Sequence, residues 1–280
     1  MKNRGLNLAK EYQDQSPEDW EYFAGSLSDL ASIPEEEREK YLPKGELQNI
    51  GEEKMDCASR APLNVLETKF NWLLKNKKLS LENEVWLRAN GYIGEGVEFS
   101  DAFVAINSGT TRDGNSLKAP LDAIRKQGLV PKSVLPQAET WEEHHDPARI
   151  TEEIKNLGLE FARRFVINYQ KVSEENFGDL LKEDLLIVAG YAWPNPVNGE
   201  YPRSNEVPNH AFISYKRPQY FVFDNYLDEN RQGDFIKKLA SDYDLINYGY
   251  RISVNKDVVA PKQKSKLKGW WSYWWRTIIA

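Results

Sequence analysis

Cysteine is nearly absent from this chain: Cys57 is the single one in 280 residues, and histidine is scarce, with three. One thiol cannot close an internal disulfide, so the disulfide framework of small secreted domains and any cysteine-based zinc site are excluded. No apolar run approaches the roughly 18 to 20 residues that a membrane span requires, and the opening lacks a charged-then-apolar pattern, which predicts neither a spanning helix nor a cleaved secretory signal. An excess of basic charge is also missing. With 37 basic and 43 acidic side chains the net charge is −6, which argues against a general nucleic-acid binder.

That average hides a split. From Val258 to the end there are five basic residues (Lys262, Lys264, Lys266, Lys268, Arg276) and no acidic ones, so the first 257 residues carry net −11. The same tail holds four of the nine tryptophans, Trp270, Trp271, Trp274 and Trp275. If Gly269 to Ile279 is helical, these fall on one face with Ile278, which suits a membrane interface or an apolar groove on a partner as well as it suits packing on the chain's own surface. At the other end, residues 1–44 are polar and acidic, with helix-start signals at Ser16-Pro17-Glu18-Asp19 and Ser32-Ile33-Pro34-Glu35. Three parts are therefore expected: an N-terminal extension (1–44) that either occludes a site as a pro-segment or completes the fold, a body (45–257), and a basic, Trp-rich tail (258–280).

Within the body, Ala58, Ala61, Val65, Leu66, Phe70, Leu73 and Leu74 keep steps of three and four, which predicts one buried helix beginning beside Cys57. Pro62 interrupts it and should kink or delay it. Further helices are expected over Ser100–Ile106, over Ser116–Gln127 with Gly128 as the stop, and over Ile150–Arg164 after a charged, loop-like stretch from residue 137. Beyond Arg164 the pattern turns to period two or short apolar runs: Arg164–Tyr169, Asp184–Tyr191, Ala211–Tyr215, Gln219–Asp224 and Tyr248–Val254. A helical front half and a strand-rich back half make an α+β chain, with the cleft between them as the natural place for a site.

A lone cysteine is most often a small buried hydrophobe. At the start of a buried helix it has a second reading, because the partial positive charge there lowers a thiol's pKa and the open N–H groups can hold an oxyanion. A nucleophilic thiol needs a histidine. His144 and His145 sit in Glu142-Glu143-His144-His145-Asp146, which reads as a solvated loop, whereas His210 leads directly into the strand Ala211–Tyr215. A hairpin would return Asp224-Asn225 beside His210, so that one of these two groups holds the ring in its useful tautomer. The order Cys57, His210, Asn225 matches the spacing of papain-type enzymes.

On these residues the chain from about Leu42 to Val254 resembles the papain-like cysteine peptidases, of the divergent kind found in phage and bacterial sequences. Met55-Asp56-Cys57-Ala58-Ser59 followed by Leu63-Asn64-Val65-Leu66-Glu67 stands where that family has its nucleophile and central helix. Gly114-Asn115-Ser116 through Gly128-Leu129-Val130-Pro131 resembles its Gly-Asn turn, helix and exit; Asn209-His210-Ala211 and Phe223-Asp224-Asn225-Tyr226 resemble its histidine and asparagine motifs. Ala58 replaces the usual Trp, and Tyr226 stands where the family has Ser-Trp.

The resemblance implies a papain-like fold: a helical left half whose central helix carries the cysteine, and an antiparallel sheet in the right half carrying His and Asn. It implies a thiol endopeptidase in which Cys57 attacks, His210 moves the proton and Asn225 orients the ring, with Gln48, or Asn49 beside it, as side-chain oxyanion donor. No metal or organic cofactor is expected. The partner is a peptide or protein substrate, not nucleic acid, and the location cytoplasmic or virion-associated. Two other functions compete. A peptidoglycan amidase of the endolysin type shares the Cys–His pair but generally has a shorter Cys-to-His interval; a virion or docking protein that keeps the fold with weak catalysis would account for the tail.

Overall fold

A computed structural model describes residues 5–14, 29–191, 193, 195–204, 207–217, 220–227, 235–243 and 248–256. The predicted helix start at Ser16-Pro17 and the basic, Trp-rich tail lie outside the described residues.

After α1 (Leu8–Asp14) and a 3-10 turn over Glu35–Tyr41, the front half is helical: α2 (Cys57–Lys75), α3 (Leu81–Ala89), α4 (Asp101–Asn107), α5 (Lys118–Gln127), α6 (Trp141–His144) and α7 (Glu152–Arg164). The back half holds β1 (Phe165–Ser173), α8 (Glu174–Glu183), β2 (Leu186–Gly190), β3 (His210–Lys216), β4 (Phe221–Phe223), β5 (Ile236–Lys238) and β6 (Tyr248–Lys256). The strands form one six-stranded sheet in the order β1-β6-β2-β3-β4-β5, every neighbouring pair antiparallel. The α+β expectation holds.

The central helix lies against β3 and is buried along most of its length. Phe70 on it meets Phe99, Phe161 and Phe165 at ring-centroid distances of 5.0 to 5.6 Å, which makes an aromatic core for the helical half. The sheet shows the period of two that its sequence implies. Ile187, Ala189, Ala211 and Ile213 join the core around α2, while Leu186, Val188 and Phe212 join a second core on the opposite face, covered by Phe177, Leu180 and Leu181 of α8. That second layer explains why β2 is apolar throughout rather than alternating.

Several expectations need correction. Pro62 neither kinks the chain out of helix nor delays its start: α2 is continuous from Cys57 to Lys75. The lost N–H removes one ladder bond from a helix that buries most of its residues, and the packing outweighs it. The Ser32-Ile33-Pro34 signal opens a 3-10 turn with Pro34 as its cap rather than an α-helix. Unforeseen were α1, α3, α6, α8 and β5. The clue to α8 was a capping box, Ser173 with Asn176 three residues on. Gly128 ends α5 as expected, at φ +70°, where a Cβ would lie 1.8 Å from the Gly158 carbonyl oxygen.

Residues 29–41 are tied into the body by buried charges. The Arg38 guanidinium donates to the carbonyls of Ile33, Leu181, Tyr215 and Lys182. Lys69 of α2, fully buried, is bracketed by Asp29 at 2.6 Å and Asp184 at 2.7 Å. Lys69→Met is expected to cost about 3 to 5 kcal/mol in a urea titration, because it leaves two buried carboxylates without their common cation. A loss below about 1 kcal/mol would mean the cluster behaves as a solvated surface pair.

Candidate active site

Cys57 is the first residue of α2 and is fully buried. Its thiol accepts a hydrogen bond from the backbone N–H of Ala211, the residue after His210, so the start of the central helix and the start of β3 meet at the sulfur. The expectation that the helix start lowers this thiol's pKa is corrected. Burial pushes it well up, and the carboxylates of Asp56, Asp224 and Glu53 add to the rise, outweighing the Ala211 N–H. The raised pKa favours the neutral thiol over the thiolate.

His210, the first residue of β3, is fully buried with Nε2 2.6 Å from Asp224 Oδ1. The β3–β4 hairpin, with Ile213 opposite Phe223, brings that carboxylate back. Asp224 Oδ2 accepts from Trp193 Nε1 at 2.5 Å and lies 3.2 Å from Lys237 Nζ. Burial would raise the Asp224 pKa, but the charges of His210 and Lys237 and the hydrogen bond from His210 hold it well below the usual carboxylate range. An ionised Asp224 accepts, so Nε2 carries the proton and Nδ1 is the basic nitrogen. Nδ1 has no hydrogen-bond partner among the described residues. The rings of Tyr226 (5.3 Å) and Trp193 (6.0 Å) flank the imidazole. Trp193 and Lys237 were missed from sequence, since both come from stretches whose approach to Asp224 depends on the folded sheet.

Asn225 is nearby but turned elsewhere. Its Oδ1 accepts from Asn64 Nδ2 of α2 at 2.9 Å and its Nδ2 donates to the Glu46 carbonyl at 3.1 Å, so it pins the sheet half to the central helix. Between the two alternatives left open by sequence, the residue bonded to His210 is Asp224. Gln48 is fully buried; its backbone N–H donates to the Asn225 carbonyl at 3.0 Å and its Nε2 to Glu53 Oε1 at 2.6 Å.

The solvated-loop reading of His144 is overturned. It is fully buried with Nε2 3.1 Å from Asp56 Oδ2, and Asp56 in turn accepts from Arg60 Nε at 2.9 Å. Burial would raise the Asp56 pKa, but Arg60 and His144 together hold it below the ordinary range. The missed signal was Thr140-Trp141-Glu142-Glu143: Thr140 caps a short helix by accepting from the Glu143 N–H, and the helical turn then carries His144 inward while Glu142 and Glu143 face water.

The N-terminal segment crosses the edge of this site. Leu6 N–H donates to the Asn209 carbonyl at 3.3 Å, directly before His210, and Leu6 pairs in parallel with Asn115 of the helical half. Gly5, at φ +111°, lies so close to Met55 that a Cβ on it would be 2.4 Å from the Met55 backbone. Farther along, Glu11 is fully buried, accepting from Leu117 N at 2.6 Å and from Tyr250 OH at 3.0 Å.

No protein-family model and no curated protein matches the sequence. Solved structures do match in shape. A mite-allergen structure, from work on antibody cross-reactivity between Blo t 1 and Der p 1, superposes with a TM-score of 0.53 at 13% identity, covering 89% of this chain and 78% of that one. The digestive procathepsin L 3 of Tenebrio molitor larval midgut gives 0.53 at 12%, covering 90% and 76%. Procathepsin B S9 from Trypanosoma congolense gives 0.52 at 9%, covering 91% and 87%. With helices in front, an antiparallel sheet behind and Cys57 and His210 where the halves meet, the chain has the fold of the papain-like cysteine proteases.

Proposed function

We propose that this chain is a thiol endopeptidase acting through Cys57, His210 and Asp224. The observation that carries the reading is the His210 geometry: Nε2 is tied to a buried carboxylate at 2.6 Å while Nδ1, the basic nitrogen, has no partner among the described residues, and the neighbouring Ala211 N–H reaches the Cys57 sulfur. In the first step Cys57 Sγ adds to the substrate's acyl carbon as Nδ1 takes the thiol proton. The tetrahedral oxyanion is held by the open N–H groups of the α2 start and by the Gln48 amide, each donor contributing about 3 to 4 kcal/mol. Nδ1 then returns its proton to the leaving amine, and a thioester remains on Cys57. Water, deprotonated by the same nitrogen, releases the acid and regenerates the thiol. Asp224 stabilises the imidazolium in both halves of the cycle and fixes the tautomer between them.

Residues 5–7 belong to this reading as an occluding segment, since a substrate strand needs the space between Asn115 and Asn209 that they fill.

The test is labelling by an irreversible peptidyl epoxide alongside a fluorogenic peptide screen. Protein with residues 5–7 displaced is expected to gain one inhibitor mass on Cys57 and to hydrolyse peptide, with the wild type slower in both; Cys57→Ala loses both, and His210→Ala loses the labelling advantage over free cysteine. A chain that labels no faster than free cysteine, with or without its N-terminal segment displaced, and that cleaves no peptide, is not a peptidase.

A further inference from the structure

Glu53 has no part in the chemistry above, yet it sits at the centre of the site's polar contacts. Its Oε1 accepts from Gln48 Nε2 at 2.6 Å and from the Met55 backbone N–H at 3.3 Å, and its Oε2 accepts from the Tyr226 hydroxyl at 2.5 Å. Tyr226 is nearly buried and belongs to the sheet half, with its ring 5.3 Å from that of His210. Gln48 and Glu53 belong to the segment that leads into α2. One carboxylate thus links the amide assigned to the oxyanion with the residue that flanks the general base.

The chemistry of the partners gives this contact a direction. A glutamine amide can be turned by 180°, exchanging a hydrogen-bond donor for an acceptor at the same place. An ionised carboxylate only accepts, so it admits the NH2 end and rejects the carbonyl, and a charge-assisted bond of this length is among the stronger ones available. The carboxylate is itself fixed by two donors from different parts of the chain. Its charge lies near enough to Cys57 to oppose thiolate formation, so a purely electrostatic account of the thiol gives no reason for an acid here.

We propose that Glu53 is a positioning residue for Gln48: it holds the amide with its NH2 end presented to the acyl oxygen, and its bond to Tyr226 makes that presentation depend on the seating of the sheet half. The proposal rests on the peptidase reading and adds a control on the same site. The reactive pieces of the two halves are then set together rather than separately.

The experiment is a double-mutant cycle on a peptide substrate, with the affinity of a peptide aldehyde, which forms a tetrahedral adduct on the thiol, as a second readout. Glu53→Ala is expected to lower kcat about 10²-fold with KM within about twofold, and to weaken the aldehyde by the factor it takes from kcat/KM. Glu53→Gln, whose carbonyl still accepts from Gln48, restores kcat to within about tenfold of wild type. On a Gln48→Ala background, Glu53→Ala adds nothing further. Should Glu53→Ala fail to fold, Tyr226→Phe takes its place, with a several-fold fall in kcat that disappears on the Gln48→Ala background. Additive losses, or a raised KM at unchanged kcat, would overturn the positioning role and leave the peptidase intact. Neither hydrolysis nor an aldehyde adduct, with residues 5–7 displaced as well as in place, overturns both.

Discussion

Asp224→Asn is expected to lower kcat by about 10³ to 10⁴-fold, although the change replaces one oxygen by one nitrogen and adds no bulk. The reason lies in the donors around this side chain. His210 Nε2, Trp193 Nε1 and Lys237 Nζ all converge on it, at 2.6, 2.5 and 3.2 Å, and a carboxylate can accept from every one of them. An amide cannot. With its oxygen toward His210, its NH2 would face the indole N–H and the ammonium; turned over, its oxygen satisfies those two and its NH2 faces His210. The second orientation relieves more, and it forces Nε2 to accept, which moves the imidazole proton to Nδ1. The nitrogen that should take the Cys57 proton then already carries one.

Two comparisons make this prediction specific. Asn225→Ala is expected to change kcat by less than about tenfold, since its amide is spent on Asn64 and the Glu46 carbonyl. Replacing Lys237 by Met in the Asp224→Asn chain removes one of the competing donors and should recover part of the loss. If Asn225→Ala is the more damaging of the two single changes, the assignment of Asp224 as the partner of His210 fails. The pairing also carries a pH sign. Asp224 has a folded-state pKa below its unfolded one, so its contribution to stability is present above the unfolded value and is lost as pH falls through the folded one.

The choice between Asp224 and Asn225 shows how far the sequence reaches. The Cys57 helix and the His210 strand were legible because each rests on a local pattern: steps of three and four for α2, and a short apolar run for β3. The hairpin that returns the next strand was legible too. Adjacent residues at a strand's end point in opposite directions, so which of two neighbours meets the ring depends on a register that shifts between Ser214 and Lys216. No local pattern reveals that. His144 was lost for a related reason: a run of charge reads as solvent-facing, and its buried partner, Asp56, lies 88 residues away. Lys237 reaches Asp224 only once β5 pairs with β4, and Trp193 reaches it from the segment that follows β2. The direction of the Cys57 pKa was misjudged because a helix start is visible in sequence while full burial, the largest cause, and the approach of Asp224 are properties of the fold.

Gly5→Val is expected to speed the alkylation of Cys57 by about 30-fold without replacing any residue of the site. In the closed arrangement Gly5 has φ +111°, which a β-branched residue scarcely adopts, and the new Cβ would sit 2.4 Å from the Met55 backbone, which has no flexible end to move aside. Strain of about 2 kcal/mol falls on the docked segment alone. The cheapest relief is for residues 5–7 to leave the edge of the cleft, breaking the Leu6 bond to the Asn209 carbonyl and the pairing with Asn115. Deleting the N-terminus would be a poorer test, because Glu11 caps the start of α5 and accepts from Tyr250, so truncation would disturb the body as well as the cleft. Gly91→Ala is the control: it too sits at positive φ, but its Cβ would meet only the flexible Ser133 side chain, away from the site. Mass-resolved labelling of both variants with iodoacetamide, at equal temperature and pH, reads the difference directly. An unchanged rate in Gly5→Val would remove residues 5–7 as the occluding element. A rise with hydrolysis following in step would make displacement of this segment the event that opens the enzyme.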